Sequence, residues 1–228
     1  MIIALVSQKG GSGKSTLAAA IAWELLHRGH KVLVVDTDPQ GTLREVGLAA
    51  ADNNKKAPVI VAMGKDLARA DQLPRMADAF DYVVIDTPGR SGDVQNAALL
   101  AADVALIPVG QAAADVWSLS HTLGIVDSAQ KLKEQFGASL KSALVITRRL
   151  PRTALGKALR QTLKDSGVPT LRSETTARVA WQECLGAGQG VAQYAPKDAA
   201  ATEARALVNE VLSFATNNNS KKKEAANG

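Results

Sequence analysis

The chain has 228 residues, of which 46% are hydrophobic, 21% charged and 4% aromatic. These values fit a globular protein with a buried core and exclude collagen-like, wholly disordered and disulfide-rich chains. The formal net charge is +5, and it is uneven: residues 1–140 carry −2 and residues 141–228 carry +7, which suggests that the C-terminal half contacts a polyanion.

Six short, almost wholly apolar segments follow one another along the chain and predict β-strands. They are residues 2–7, 31–36, 58–62, 82–86, 104–109 and 143–147. Continuous apolar strands of this length are typical of a parallel sheet whose two faces are both covered by helices. Between the first two, apolar residues spaced three or four apart predict a helix over residues 15–28, which Gly29 ends.

Strands that alternate with helices in this way predict a doubly wound α/β fold, with a mostly parallel sheet flanked by helices on both faces. We expect a single domain over residues 1–215. Residues 216–228 are rich in Asn and Lys and have no apolar periodicity, so we expect a disordered tail.

The segment 8–16 follows the first predicted strand and opens the first helix, which is the context that a phosphate loop requires. Its glycines allow backbone N–H groups to surround phosphate oxygens; Lys14 is expected to reach the β- and γ-phosphates of ATP, and the Ser15 hydroxyl to hold Mg²⁺. The predicted ATP-binding residues here are Lys9, Gly10, Gly11, Ser12, Gly13, Lys14, Ser15 and Thr16. The strict P-loop pattern is not met, because Gln8 replaces its first glycine.

Carboxylates follow two of the predicted strands. Asp36 and Asp38 end the second strand, where their spacing places both on the same side of an extended chain. Asp86 ends the fourth strand, and we expect it to bind Mg²⁺ through water, with residues 87–89 as the loop that senses the γ-phosphate.

The phosphate loop has a second lysine, Lys9, and its K-G-G-x-G-K-S sequence resembles the deviant Walker A loop of the ParA/MinD family of ATPases, most closely the small ParA type. The resemblance extends to about residue 214. It implies a face-to-face homodimer formed with ATP, in which Lys9 reaches the phosphates bound by the partner subunit. A second cation there would act as an arginine finger does.

The D-x-D-P-Q sequence that begins at Asp36 is also similar to that family. The match implies that Asp38 activates the attacking water, and that Asp36 lies near the Mg²⁺ shell together with Ser15 and Asp86. Thr147 and Arg148 are similar in position to residues near the adenine. The expected catalytic residues are therefore Lys9, Lys14 and Asp38.

Other branches of the fold are separated by particular residues. MinD-like proteins carry a C-terminal amphipathic helix for membranes, whereas this chain ends in Asn- and Lys-rich sequence, so we expect a cytoplasmic protein that does not bind membranes. Nitrogenase iron protein needs two cysteines per subunit, and this chain has one, Cys184, which we expect to be a buried hydrophobic residue. Two alternatives remain: a metabolic P-loop enzyme that uses ATP to activate a small substrate, and a MinD-like membrane-cycling regulator.

The basic C-terminal half predicts non-specific binding to double-stranded DNA, because no sequence-reading motif accompanies it. The candidate DNA-binding residues are Arg149, Arg152, Lys157, Arg160, Lys164 and Arg178. The alternative for each is an ordinary solvated charge, and the lysines at 221–223 could equally serve solubility. The resemblance implies an ATPase that segregates or positions a cargo on the nucleoid and is stimulated by a ParB-like or adaptor protein.

Overall fold

The computed structural model describes residues 1–69, 72–90, 92–151 and 153–217, with only the backbone for 154–157. The strands are β1 (Ile2–Leu5), β2 (Val32–Asp36), β3 (Val59–Ala62), β4 (Tyr82–Asp86), β5 (Val104–Val109) and β6 (Lys141–Ile146). The α-helices are α1 (Lys14–His27), α2 (Thr42–Asp52), α3 (Leu73–Ala77), α4 (Gly92–Ala101), α5 (Ala113–Gln135), α6 (Ala154–Lys164), α7 (Ala180–Gly186), α8 (Val191–Tyr194) and α9 (Ala199–Thr216). A short 3-10 helix covers Lys65–Ala68.

The strands form one sheet in the order β3-β2-β4-β1-β5-β6, and every pairing between them is parallel. The chain first winds from β1 outwards to β3 and then returns through β4 to the other side of β1. The strand order therefore reverses beside β1, and the crevice at such a reversal is where doubly wound proteins bind ligands. The predicted fold is confirmed.

Both faces of the sheet are buried, as the apolar strands predict. Side chains along β1 and at the residue that follows it alternate between two cores. Ile3 and Leu5 pack into one core, whereas Ala4 and Val6 pack into the other. The first core is completed by residues of α1, α2 and α9, and the second by residues of α3 to α6. Because successive side chains of a strand point to opposite faces of the sheet, each buried strand contributes side chains to both cores.

The C-terminal helix α9 is anchored along its length. Asp198 caps its first turn by accepting from the backbone N–H of Ala200 at 2.7 Å, and Leu207, Val208 and Val211 are buried. The expected tail beyond residue 215 begins with the end of this helix, and residues 218–228 lie outside the described part of the chain. Within the described residues, no helix is both long and apolar enough to cross a membrane.

Candidate active site

The phosphate loop joins the end of β1 to the start of α1 and contains two left-handed glycines. Gly11 has a φ of 70° and Gly13, which directly precedes α1, a φ of 96°. These conformations suit glycine and turn successive N–H groups towards one point. No side chain caps the N-terminus of α1, so its first N–H groups are available to an anion.

Lys14 lies across this loop and is buried. Its ammonium donates to the carbonyl oxygens of Lys9 at 3.2 Å and Ser7 at 3.4 Å, both of them long contacts. Burial lowers the pKa of Lys14, while the charges of Asp86 and Asp38 raise it. A buried cation that has only weak backbone acceptors is suited to receiving phosphate oxygens.

Asp86 lies next to this cation at the carboxyl end of β4 and is fully buried. Neither of its carboxylate oxygens has a hydrogen bond of normal geometry among the described residues. Burial raises its pKa to about 7, an effect that the nearby Ser15 hydroxyl and the Lys14 charge oppose and the charge of Asp36 increases. Two unpartnered buried oxygens beside Ser15 fit a Mg²⁺ site, because oxygen donors are the ligands that Mg²⁺ takes. A Mg²⁺ ion bound there with ATP would neutralise phosphate charge.

Asp36 is the neighbour of Asp86 in the sheet, but its oxygens are already occupied. One accepts from the backbone N–H of Asp38 at 3.1 Å, and the other accepts from those of Leu43 and Arg44, also at 3.1 Å. Asp36 therefore caps the N-terminus of α2 and shapes the loop that carries Asp38. Its expected place near the Mg²⁺ shell stays a prediction.

Asp38 lies on the opposite side of the loop from α1, in a cleft of about 980 Å³ between the ends of β2, β3 and β4. Lys9, Gly10, Pro88 and Gly89 line the same cleft. One oxygen of Asp38 accepts from the backbone N–H of Gln40 at 2.9 Å, which leaves the carboxylate facing open space where a water could stand. Its expected role as the activating group stays a prediction.

Lys9 points away from its own phosphate loop. Its ammonium pairs with Asp115 in the first turn of α5 at 2.5 Å, and its side chain is 31% exposed. Asp115 is buried and also accepts from the backbone N–H of Ala112 at 3.2 Å. In this conformation Lys9 is held within its own subunit at the rim of the cleft, and the expected reach into a partner's site requires that pair to open.

The predicted γ-phosphate loop packs directly against the phosphate loop. A Cβ added to Gly89 would lie 2.9 Å from the backbone nitrogen of Gly10, so only glycine allows this approach. The two loops are therefore in direct contact through their backbones.

Gln95 of α4 also joins the two loops, and nothing in the sequence marked it as functional. Its buried amide donates to the carbonyl oxygens of Pro88 at 2.6 Å and Ser7 at 3.1 Å, and accepts from the Gln8 side chain at 2.8 Å. The backbone N–H of Gln8 is bound in turn by Thr122 of α5 at 3.1 Å. Gln8, the residue that breaks the strict P-loop pattern, thus anchors the loop to two helices.

A second, narrower cavity adjoins the loop on the α1 side. It is lined by Gly13, Thr16, Leu17, Thr147, Arg148, Thr175, Thr176, Ala177, Arg178, Trp181 and Gln182. The structure brings the two predicted adenine residues to it, but the Thr147 hydroxyl donates to the Ser12 carbonyl at 3.0 Å and so supports the loop itself. Arg148 has a left-handed φ of 52°, a strained conformation that is common at functional sites. Of the lining residues after residue 174, only Arg178 was a candidate, for DNA binding; none was predicted to lie beside the nucleotide.

The candidate DNA-binding residues differ in whether their charges are paired with a carboxylate of the same chain. Arg149 and Arg160 both pair with Glu174, and Arg178 pairs with Glu203 at 3.2 Å. Lys164 is exposed at the end of α6. Arg152 lies outside the described residues, as does the side chain of Lys157.

The only cysteine of the chain is buried in α7, as expected, and burial raises its pKa to about 11. A thiol with so high a pKa is largely protonated at neutral pH, and it behaves as a small apolar side chain.

Comparisons with known proteins agree with this site. Residues 3–183 match the family of CobQ/CobB/MinD/ParA nucleotide binding domains. The maintenance of carboxysome distribution protein A of Halothiobacillus neapolitanus is 30% identical over 213 residues, which span 92% of this chain and 95% of that protein. The chromosome-partitioning ATPase Soj of Thermus thermophilus is 26% identical over 238 residues, spanning 92% and 94%.

Among solved structures, apo McdA of Cyanthece superposes with a TM-score of 0.74 at 22% identity, over 92% of this chain and 98% of that one. This likeness shows that the two proteins share a fold. Other similar structures hold Mg-ADP, ATP, or ADP with magnesium, in agreement with the predicted ligands ATP and Mg²⁺.

Asp86→Asn should raise the melting temperature of the nucleotide-free protein by several degrees at pH 8. The folded protein holds the Asp86 proton up to about pH 7, whereas the unfolded chain releases it near pH 4. The wild type therefore loses stability relative to the variant as the pH rises from about 4 to about 7, and the difference is constant above that range. Mg-ATP should stabilise the variant less than the wild type. Calorimetry between pH 5 and pH 8 measures both effects.

Asp36→Asn is the matched control for Asp86→Asn. Both residues end neighbouring strands, but the Asp36 oxygens accept three backbone N–H groups. Its substitution should lower the melting temperature at neutral pH, since the asparagine NH₂ group must face a backbone N–H that a carboxylate oxygen had accepted, at a cost of about 1 kcal/mol or more. Equal behaviour of the two variants would contradict the assignment of Asp86 as the unpartnered carboxylate.

Gln95→Leu should reduce kcat/KM for ATP by about tenfold or more, because two buried carbonyls that hold the loops would lose their donor. Gln130→Leu is the control: Gln130 donates a similar pair of bonds, to the Leu140 carbonyl at 3.0 Å and Ser142 at 3.2 Å, near the opposite edge of the sheet. That variant should lose stability and keep kcat/KM. Steady-state ATPase assays with matched melting curves distinguish the two, and parallel losses of activity would refute the role of Gln95.

Proposed function

Because the chain belongs to the CobQ/CobB/MinD/ParA family of nucleotide-binding proteins and is an ATPase of the ParA and MinD type, we propose that it positions or segregates a cargo on nucleoid DNA. Two relatives that match over nine-tenths of the chain are named for carboxysome distribution and chromosome partitioning. A large assembly or a DNA molecule is the kind of cargo that this similarity supports. ATP would act as the switch between two states of the protein.

The position of Lys9 is the observation that carries the proposal. Lys14 lies across the phosphate loop of its own subunit. The side chain of Lys9 extends from that loop to the rim of the cleft that contains Asp38. A second lysine there is of little use to its own nucleotide and is accessible to the phosphates of a facing subunit. The proposed active form is therefore an ATP-bound homodimer, with Lys9 acting in trans.

Two contacts lower the cost of releasing Lys9 from the buried Asp115 carboxylate. The lysine is partly exposed, so water can solvate it as the pair opens. Asp115 keeps the backbone N–H of Ala112 as a donor, so its buried oxygens do not lose every partner. When two ATP-bound subunits face each other, the negative charge of the phosphates in one site would attract Lys9 of the other subunit.

Hydrolysis would end the dimeric state. We place Asp38 as the group that orients the attacking water, because its carboxylate faces the cleft beside the γ-phosphate loop. The other carboxylate of the cleft, Asp36, accepts three backbone N–H groups and has less freedom to bind a water, which predicts slow basal turnover. A ParB-like or adaptor protein attached to the cargo would accelerate hydrolysis and so set the time for which the dimer stays on DNA.

DNA binding is assigned to the basic C-terminal half of the dimer. Lys164 is exposed, whereas Arg149, Arg160 and Arg178 are each bound to a glutamate. Contacts to phosphates alone would be independent of base sequence and would weaken steeply with salt. Dimerisation doubles the number of such contacts, so it makes DNA affinity depend on ATP.

Retention of a non-specific DNA duplex, with and without a non-hydrolysable ATP analogue, tests the proposal. At low salt the analogue-bound protein should bind the duplex and the nucleotide-free protein should not. Failure to bind DNA in both states would overturn the proposal. ATP turnover that requires a small substrate would then favour the metabolic alternative, and ATP-dependent binding to liposomes would favour a membrane-cycling regulator.

Lys9→Ala should leave ATP affinity within about twofold of the wild type, since Lys9 does not point into its own loop, and should abolish the ATP-dependent dimer. Lys14→Ala is the contrasting variant, because it should lose ATP binding and dimer together. Analytical ultracentrifugation with ATP measures dimer formation, and calorimetry measures affinity. A Lys9→Ala protein that still sediments as a dimer would show that Lys9 does not act between subunits.

Lys164→Glu should weaken DNA binding by the analogue-bound protein and reduce the slope of its salt dependence, because a phosphate contact is lost. Lys131→Glu makes the same charge change at an exposed lysine of α5, on the acidic half of the chain, and should have little effect. Fluorescence anisotropy at several salt concentrations compares them. If both variants lose affinity equally, total charge and not the C-terminal surface is responsible.

A further inference from the structure

The narrow cavity on the α1 side of the phosphate loop has one wall made from a segment without regular strand structure. Thr176, Arg178 and Trp181 belong to this wall, which faces Gly13 and Leu17 across the cavity. The segment is tied to the end of β6 by backbone bonds, from Thr175 to the Ile146 carbonyl at 3.0 Å and from Arg149 to the Thr175 carbonyl at 2.8 Å. These bonds fix its start, but they leave the side chains of the wall to be oriented by other groups.

A single carboxylate on α9 orients all three of those residues. One oxygen of Glu203 accepts from the Thr176 backbone N–H at 2.9 Å and the Trp181 indole N–H at 3.3 Å. The other accepts from the Thr176 hydroxyl at 2.5 Å and the Arg178 guanidinium at 3.2 Å. Glu203 does not itself line the cavity, so it acts through the residues that do.

The location of the cavity indicates what it would hold. Asp38, Pro88 and Gly89 lie in the cleft on the other side of the phosphate loop, so the γ-phosphate end of ATP faces that cleft. The opposite end of the nucleotide must then leave the loop beside Gly13 and the first turn of α1. Leucine, alanine and tryptophan side chains with a few hydroxyls are the lining that a planar base prefers.

We propose that Glu203 is a positioning residue for recognition of the nucleotide base. It holds Thr176, Arg178 and Trp181 as the wall against which the base of bound ATP packs, and it thereby sets the preference for ATP over ligands that lack the base. The proposal rests on the ATP site alone. It is independent of dimerisation and DNA binding, so its failure would leave the proposed function untouched.

Glu203→Gln is the informative substitution because it keeps the shape of the side chain. An amide has one acceptor oxygen, so its NH₂ group must face two donors that the carboxylate oxygen accepted. The wall should therefore shift while the phosphate loop, which Glu203 does not contact, stays in place.

Glu210→Gln provides a matched control on the same helix two turns later. Glu210 also holds the incoming segment, accepting from the backbone N–H groups of Arg172 and Ser173, both at 2.7 Å. These bonds lower the pKa of Glu210, against the effect of burial, which raises it. Its partners do not line the cavity, so this variant measures the structural effect of weakening the link to α9.

The experiment compares the affinities of ATP and inorganic tripolyphosphate, each with Mg²⁺, by calorimetry. In Glu203→Gln the ratio of ATP to tripolyphosphate affinity should fall about tenfold, the equivalent of one lost buried hydrogen bond, with tripolyphosphate unchanged. In Glu210→Gln the ratio should match the wild type even where the melting temperature falls. An unchanged ratio in Glu203→Gln, or equal falls in both variants, would overturn the proposal.

Thr176→Val is a milder second variant in case Glu203→Gln does not fold. It removes the hydroxyl donor and leaves the carboxylate with its three other partners. The affinity ratio should fall in the same direction by a smaller factor. Retention of the wild-type ratio in a folded Thr176→Val protein would also count against the proposal.

Discussion

The site depends on charged groups that are buried at the carboxyl edge of a parallel sheet without full compensation. Among the described residues, the hydrogen bonds of Lys14 are two long contacts to backbone carbonyls, and neither buried oxygen of Asp86 has a hydrogen bond of normal geometry. Burying such groups is costly unless something else satisfies them. Nucleotide phosphates and Mg²⁺ carry the complementary charges, so the protein gains stability when the ligand completes the site.

The phosphate loop separates two sides of the site with different tasks. On the cleft side, Gln95 and Gly89 join the phosphate loop to residues 87–89, and Asp115 binds Lys9. These contacts come from α4 and α5. On the other side, α9 holds the cavity wall through Glu203. Helices on one face of the sheet thus support the cleft, and a helix on the other face supports the wall of the second cavity.

In the C-terminal half, tertiary contacts decide which arginine side chains are available to bind an external anion. The prediction from sequence considered the basic residues of this half without their partners in the fold. In the folded protein Glu174 binds both Arg149 and Arg160, and Glu203 binds Arg178, so much of this charge already has a partner within the chain. Exposed residues such as Lys164 are then the stronger candidates for phosphate contacts.

Prediction from sequence was successful where the functional groups are neighbours along the chain or follow a regular local pattern. The phosphate loop, the strand-end positions of Asp36 and Asp86, and the parallel sheet all follow from local apolar patterns and from the rule that parallel strands end at one edge. Prediction was incomplete for Asp36, since a strand-end carboxylate looks the same in sequence whether it faces a metal or caps a helix. Its contacts with Leu43 and Arg44 become visible only when α2 is packed.

The sequence by itself therefore determined that this protein binds Mg-ATP, because a run of neighbouring residues from 8 to 16 contains nearly all of the groups that hold phosphate. Only the tertiary structure decided which distant residues govern that site. Gln95 and Glu203 are ordinary helical residues in the sequence, and Lys9 and Asp115 are far apart along the chain. Their roles arise because hydrogen bonds and ion pairs act over a few ångströms in space, regardless of separation along the chain.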